Sequence, residues 1–248
     1  EEVKTIMATE VNINTSLNAE QRGWGKGWPN CSEHLWVPLE VESLFGGVVR
    51  FRNHVVVGDK FEEVDFPGGV RTELKELMTL LLQESESRGY INLIDGWCWG
   101  AACRPIKTSS GGLTNTPSNH SWGVAIDINA PVNGFGAVSH TIPTAMGQLW
   151  NKYGFRWGGD YYSVKDWMHF EFMGTPAQAK EMLAKAKADG IGGEDVLFAM
   201  YQDGWDAFVD AFKAGKDPGD PKPDKPEQFK KGWNAARFAS NNPKPEKT

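Results

Sequence analysis

The chain has 248 residues, 40% hydrophobic, 12% aromatic and 23% charged, with 26 Lys+Arg against 32 Asp+Glu and a formal net charge of -6. That is enough apolar chain for a core, too much for disorder throughout, and three cysteines are too few for a disulfide-stapled mini-domain. The acidic balance and the absence of a Lys/Arg run exclude nucleic acid as the main partner, and no uncharged apolar window is long enough for membrane insertion.

The chain opens on EEVKTIMATE, with neither a basic region nor an apolar one, so no secretory signal peptide is visible. The missing initiator Met points to a processed product or an excised piece. Cys98 and Cys103 are close enough in sequence to pair, but free thiols are the expectation for an unexported chain.

Residues 1–21 are polar and patternless and read as a tail or linker; order is expected from the GWGKGWPNCS stretch onward. Residues 48–57 read as strand, ended by Gly58-Asp59. Pro67-Gly68-Gly69 punctuates before a helix in which Val70, Leu74, Leu77, Met78, Leu81 and Leu82 recur at threes and fours, ending at Arg88-Gly89. Tyr90 to Trp99 reads as a strand running into a turn. Residues 105–119, rich in Pro, Ser, Thr and Gly, read as a surface loop.

GVAIDIN (123–129) alternates, with Val124, Ile126 and Ile128 on one face and Ala125 and Asp127 on the other. A helix over about 143–153 should bury Met146, Leu149 and Trp150, and Trp167 to Phe172 reads as another strand. Without a βαβ rhythm, the fold class is α+β, a small antiparallel sheet packed against helices, with an added C-terminal helical segment. That segment, 177–248, is expected to hold helices at its start, over 203–214 and over QFKKGWNAARFA, with a Pro/Asp/Lys linker at 215–226. Gly204-Trp205-Asp206-Ala207 and Gly232-Trp233-Asn234-Ala235 form a short GW-x-A repeat, readable as part of a small helical binding module.

The chemistry concentrates in Ser118-Asn119-His120-Ser121-Trp122-Gly123-Val124-Ala125-Ile126-Asp127 and in Asp166-Trp167-Met168-His169-Phe170-Glu171. Two imidazoles and one carboxylate (His120, His169, Asp127) suit Zn²⁺ with a fourth position left for water. A carboxylate between Ile126 and Ile128 must be paired, hydrogen-bonded or metal-bound. Spacing leaves the general base open between Asp166, three before His169, and Glu171, which shares its strand face. Trp97, Trp99, Trp122, Trp157 and Trp167 cluster around these motifs as core and cleft-wall residues.

The segments CRPIK…SNHSWGVAIDIN and WGGDYY…DWMHFEF resemble the D-alanyl-D-alanine carboxypeptidase/endopeptidase family of zinc peptidases, peptidase M15, and most closely the peptidoglycan endopeptidases of bacteriophage endolysins. The resemblance covers roughly residues 22–176. It implies one Zn²⁺ per domain, held by His120, Asp127 and His169. It makes Asp166, in place of a commoner Glu, the catalytic acid/base, and matches Arg104 to a substrate-binding arginine. Glu171 and Ser118 become supporting residues.

The function expected on this basis is zinc-dependent cleavage of stem-peptide or cross-bridge bonds in bacterial peptidoglycan. The alternative is a D-alanyl-D-alanine carboxypeptidase. A reading of another class is a non-catalytic wall-binding or virion structural module. A phage-encoded protein, made in the host cytoplasm and acting at the wall or carried in a virion, fits the resemblance. Residues 177–248 are expected to bind the envelope, mediate assembly or join another domain.

Overall fold

The computed structural model describes residues 13–57, 60–67, 69–93, 97–108, 110, 112–214, 219–221, 225, 230–234 and 236. Strands β1 (Trp36–Pro38), β2 (Glu40–Glu42), β3 (Val48–Arg50), β4 (Arg52–Val57), β5 (Lys60–Pro67) and β6 (Gly69–Arg71) precede the first helix, α1 (Thr72–Ser87). They pair antiparallel as β1 with β6, β2 with β3 and β4 with β5. The expected strand over 48–57 is therefore two strands, and its expected terminator Gly58-Asp59 lies outside the described residues.

Helix α1 buries Leu74, Leu77, Met78, Leu81 and Leu82, as the periodicity predicts. Val70 is not part of it: this β-branched residue sits in β6, opposite Val37. The helix stops at Arg88, followed by Gly89 at φ 71°. Near its C-terminus the buried Glu86 accepts hydrogen bonds from Ser43 Oγ and from the amides of Leu44 and Leu93, stapling two loops to the helix.

Two further expectations give way here. Residues 90–99 are irregular where described, with Trp99 alone making isolated bridges to Arg52 and Asp127. Strands β7 (Pro105–Lys107) and β8 (Leu113–Pro117) pair antiparallel where composition suggests a loop. Their prolines face each other at one end of the pair, a position at which a ladder tolerates them.

The central sheet has the order β10 (Phe155–Trp157), β11 (His169–Phe172), β9 (Ala125–Asp127), all antiparallel. Helix α2 (Thr144–Asn151) packs beside β10 and buries Met146, Leu149 and Trp150. Helix α3 (Pro176–Ala188) starts with a capping box between Thr175 and Gln178, with Pro at its first turn, and packs on α1 together with α4 (Gly193–Lys213). The architecture is thus α+β, with small antiparallel sheets against helices and helices added at the C-terminal end.

Packing begins ahead of residue 22: Ala19 is fully buried and Ile13 lies against the core. Trp24 donates its indole N–H to Gly174 O at 2.8 Å, tying this segment to the end of the central sheet. At the other end α4 starts ten residues earlier than expected, and residues 230–234 are helical within the expected third helix. Trp233 packs edge-on against Phe208 at 5.4 Å, so the second repeat copy folds back onto the helix that carries the first. Ala235 and most of the 215–226 linker lie outside the described residues.

Cys31 and Cys103 form a disulfide with Cα atoms 5.9 Å apart, and Cys98 is free and buried. This overturns the Cys98–Cys103 pairing and, for Cys31 and Cys103, the expectation of free thiols, which holds for Cys98. Cys98 points inward to Asn129, whereas Cys103 lies beyond the buried Ala101-Ala102 pair, where the chain meets the N-terminal loop. Burial pushes the Cys98 thiol up to about 12, which makes it a poor nucleophile.

Candidate metal centre

The SNHSWG motif is a capped 3₁₀ turn. Ser118 Oγ accepts the amide of His120, Ser121 Oγ donates to Ser118 O at 2.6 Å, and Gly123 closes the turn at φ 69°. A Cβ on Gly123 would also come within 2.8 Å of the Trp36 ring. The turn is short because it must hand the chain directly to β9. His120 Nδ1 donates to Gly100 O at 2.8 Å, since a carbonyl can only accept, and this leaves Nε2 as the ligand nitrogen.

Asp127 ends β9. Its backbone exchanges both hydrogen bonds with Trp99, each 2.9 Å, and its side chain is buried. His169 starts β11 directly opposite Asp127. The three donor atoms converge: His120 Nε2 to His169 Nδ1 is 3.2 Å, His120 Nε2 to Asp127 Oδ1 is 3.3 Å, and His169 Nδ1 to Asp127 Oδ1 is 2.9 Å. Ligands held tetrahedrally around Zn²⁺ lie about 3.3 Å apart, given bonds of about 2.0–2.1 Å. The trio therefore approximates one face of such a site, and Asp127 and His169 line the cleft.

The electrostatics agree with a place built for a cation. Burial alone would favour the neutral acid on Asp127, but the two imidazoles outweigh it and hold the carboxyl well below the ordinary carboxylate range. Burial lowers the pKa of His120. Burial opposes charge on His169 as well, but hydrogen bonds to Asp127 and Glu171 hold it at about 10.

Glu171 lies two residues along β11 and faces the same way. It is locked: Oε1 accepts from Arg156 Nε at 2.5 Å and from the Tyr161 hydroxyl at 2.8 Å, and Oε2 accepts from Asn119 and approaches His169 Nε2 at 3.4 Å. Those partners place it behind His169, in the position of a carboxylate that orients a ligating imidazole. Asp166 has a different environment. Its Oδ1 has no hydrogen-bond partner among the described residues, and burial raises it to about 7.

Its backbone is pinned by Gly158, whose carbonyl accepts the Asp166 amide at 3.1 Å; a Cβ on Gly158 would stand 2.3 Å from Asp166 O. The WGG element is thus a close approach that sets where Asp166 stands.

A cleft of about 810 Å³ opens over these groups and takes in Arg104, Asp127, Arg156, Asp166, His169 and Glu171. Arg104 is joined to the motif through its carbonyl, which accepts the Ser118 amide at 3.1 Å. Its pKa is lowered by burial and raised in turn by the charges of Asp127 and Asp166. Of the five tryptophans, Trp122 and Trp157 are core, Trp99 lines the cleft, Trp97 is exposed and Trp167 stacks on His140 at 3.6 Å.

Residues 112–172 match the family model described as D-alanyl-D-alanine carboxypeptidase, of peptidase M15. That matched span contains the His120-Asp127-His169 trio, which is able to coordinate a metal ion, consistent with a metal-dependent peptidase M15 domain. No curated protein and no solved structure shows significant similarity to the chain. The matched M15 span runs from β8 to the end of β11 and contains the trio, Ser118, Asp166 and Glu171, while Arg104 lies ahead of it. Arg156, Tyr161, Asn119 and the Gly100 carbonyl were not singled out from sequence. A charge between Phe155 and Trp157 in an otherwise aromatic strand was the available signal for Arg156.

Proposed function

We propose that the chain is a zinc-dependent peptidase acting on bacterial peptidoglycan, of the D-alanyl-D-alanine carboxypeptidase type. The observation that carries this reading is a buried His-Asp-His trio beside Asp166, whose Oδ1 has no hydrogen-bond partner among the described residues, within the span that matches peptidase M15. A zinc ion held by the trio supplies a Lewis acid for the scissile carbonyl and lowers the pKa of a water. Asp166 accepts a proton from the attacking water and delivers it to the departing amine, a task suited to a carboxyl poised near neutrality. Arg104 donates to the oxygen on which charge develops. Gly100 O and Glu171 hold the two rings in the tautomers that ligation needs.

The family description and the cations lining the cleft favour capture of a chain end over the endopeptidase reading drawn from the endolysin likeness. The deciding experiment offers the zinc-loaded protein a free stem pentapeptide ending in D-Ala-D-Ala and, separately, cross-linked muropeptides. Release of D-Ala supports the carboxypeptidase; cleavage confined to cross-links supports the endopeptidase. Loss of neither substrate, or activity unchanged in His120→Ala, overturns the enzymatic reading in favour of a non-catalytic wall module. For residues 177–248 we keep the proposal of envelope binding, tested by sedimentation of that segment with purified walls. Among the described residues no helix is long and apolar enough to cross a membrane.

A further inference from the structure

The acidic surplus of the chain does not extend into the cleft. Asp127, Asp166 and Glu171 line it against Arg104, Lys107 and Arg156, three against three, so a bound divalent cation makes it net positive. An anionic substrate group suits such a place.

Arg156 stands where that group would arrive. In β10 its neighbours Phe155 and Trp157 turn into the core and Arg156 turns to the cleft, with 47% of its side chain exposed. It faces Glu171 across the strand pair, as His169 faces Asp127 across the next. The guanidinium is held by two groups: Nε and Nη2 bind Glu171, and its carbon lies over the Tyr161 ring at 5.1 Å. Glu171 and Tyr161 thus hold the fork in place, and its half-exposed side chain lines the cleft, where a second anion can reach it.

The spacing also fits. Two residues along a strand advance about 6.7 Å, which separates the His169–Asp127 rung from the Glu171–Arg156 rung. A carboxylate one residue beyond the scissile carbonyl lies about 3.5 Å further along an extended peptide. A charge-assisted hydrogen bond of about 2.8 Å covers most of the rest.

We propose that Arg156 is a specificity-determining residue that receives the free C-terminal carboxylate of the peptide substrate. This rests on the peptidase reading above and deepens it, since it makes a free chain end the feature recognised.

The test compares two peptides ending in D-Ala-D-Ala, one with a free C-terminal carboxylate and one with a carboxamide. In the unaltered zinc-loaded protein, amidation should reduce kcat/KM by about tenfold or more, chiefly through KM. Arg156→Gln should lose more activity on the free acid than on the amide, where only its hold on Glu171 is lost, so the discrimination disappears. Tyr161→Phe weakens the same hold on Glu171 but keeps the cation, and should keep the discrimination. Arg156→Lys, which retains charge without the fork, provides a second variant and should fall between.

Equal loss on both peptides in Arg156→Gln would assign Arg156 to positioning Glu171 and overturn the proposal. So would an unaltered protein that hydrolyses both peptides alike. If neither peptide is cut while cross-linked muropeptides are, the carboxypeptidase reading falls and this proposal with it. If nothing is cut, the enzymatic reading itself has failed.

Discussion

His169 and Asp127 are directly opposed on neighbouring strands, and His169 Nδ1 lies 2.9 Å from Asp127 Oδ1. In the metal-free protein a proton on His169 occupies that contact, because the ring is held at about 10 and the carboxylate stays ionised. Zinc must displace this proton. Binding near neutral pH should therefore release about one proton, and affinity should rise about tenfold per pH unit until His169 titrates. Calorimetry in two buffers of different ionisation heat measures this directly. A binding heat independent of buffer would contradict it.

Asp166→Asn should lower kcat by about 10²–10⁴-fold while leaving zinc affinity nearly intact. The working base must be ionised, so kcat/KM should fall as pH drops through its pKa. Burial sets that value at about 7 without metal, and a nearby dication pulls it lower, so the acid limb lies between the ordinary carboxylate range and about 7. Stability should move the other way. A carboxyl raised on folding costs stability as pH rises through this window, so Asp166→Asn should raise the Tm of the metal-free protein at about pH 8 and not at about pH 4.

Glu171→Gln should weaken zinc binding by about 10–100-fold, since His169 loses the carboxylate behind its Nε2. Competition with a chromogenic chelator reads this out. An unchanged affinity would reduce Glu171 to a partner for Arg156 alone.

Gly158→Ala separates position from chemistry. The added methyl would collide with the Asp166 carbonyl, so the peptide there must move. Activity should fall by about tenfold or more, because small displacements of a reacting group are costly. The same carbonyl accepts the His169 amide at 3.1 Å, so zinc affinity should fall too, but less than activity, since His120 and Asp127 lie on other elements. Equal loss of metal and activity would show that the distortion spreads through the sheet.

The metal trio was legible because most of it is local. A serine cap, a histidine on the turn, a left-handed glycine and an aspartate at the end of a strand follow one another within ten residues. The clamp around Glu171 was not. Asn119, Arg156 and Tyr161 come from separate turns and strands, and only the register of β10 against β11 brings them together. Spacing left Asp166 and Glu171 equal as bases; their hydrogen-bond partners separate them. The β7–β8 pair hid behind loop-like composition, and Val70 followed its strand partner, not the helical period. Helix α1 was clearest, since its buried leucines repeat the helical period without exception.

The Cys31–Cys103 bond fastens the residue next to Arg104, and the same stretch carries the Gly100 carbonyl that sets the His120 tautomer. One wall of the cleft is thus tied by a covalent link between residues 72 apart in the chain. Thiol-rich surroundings keep such links open and oxidising ones close them. The cleft accordingly has a chemical date of completion: a newly made chain can hold every ligand and still have a loose wall, until an oxidant has closed the bond.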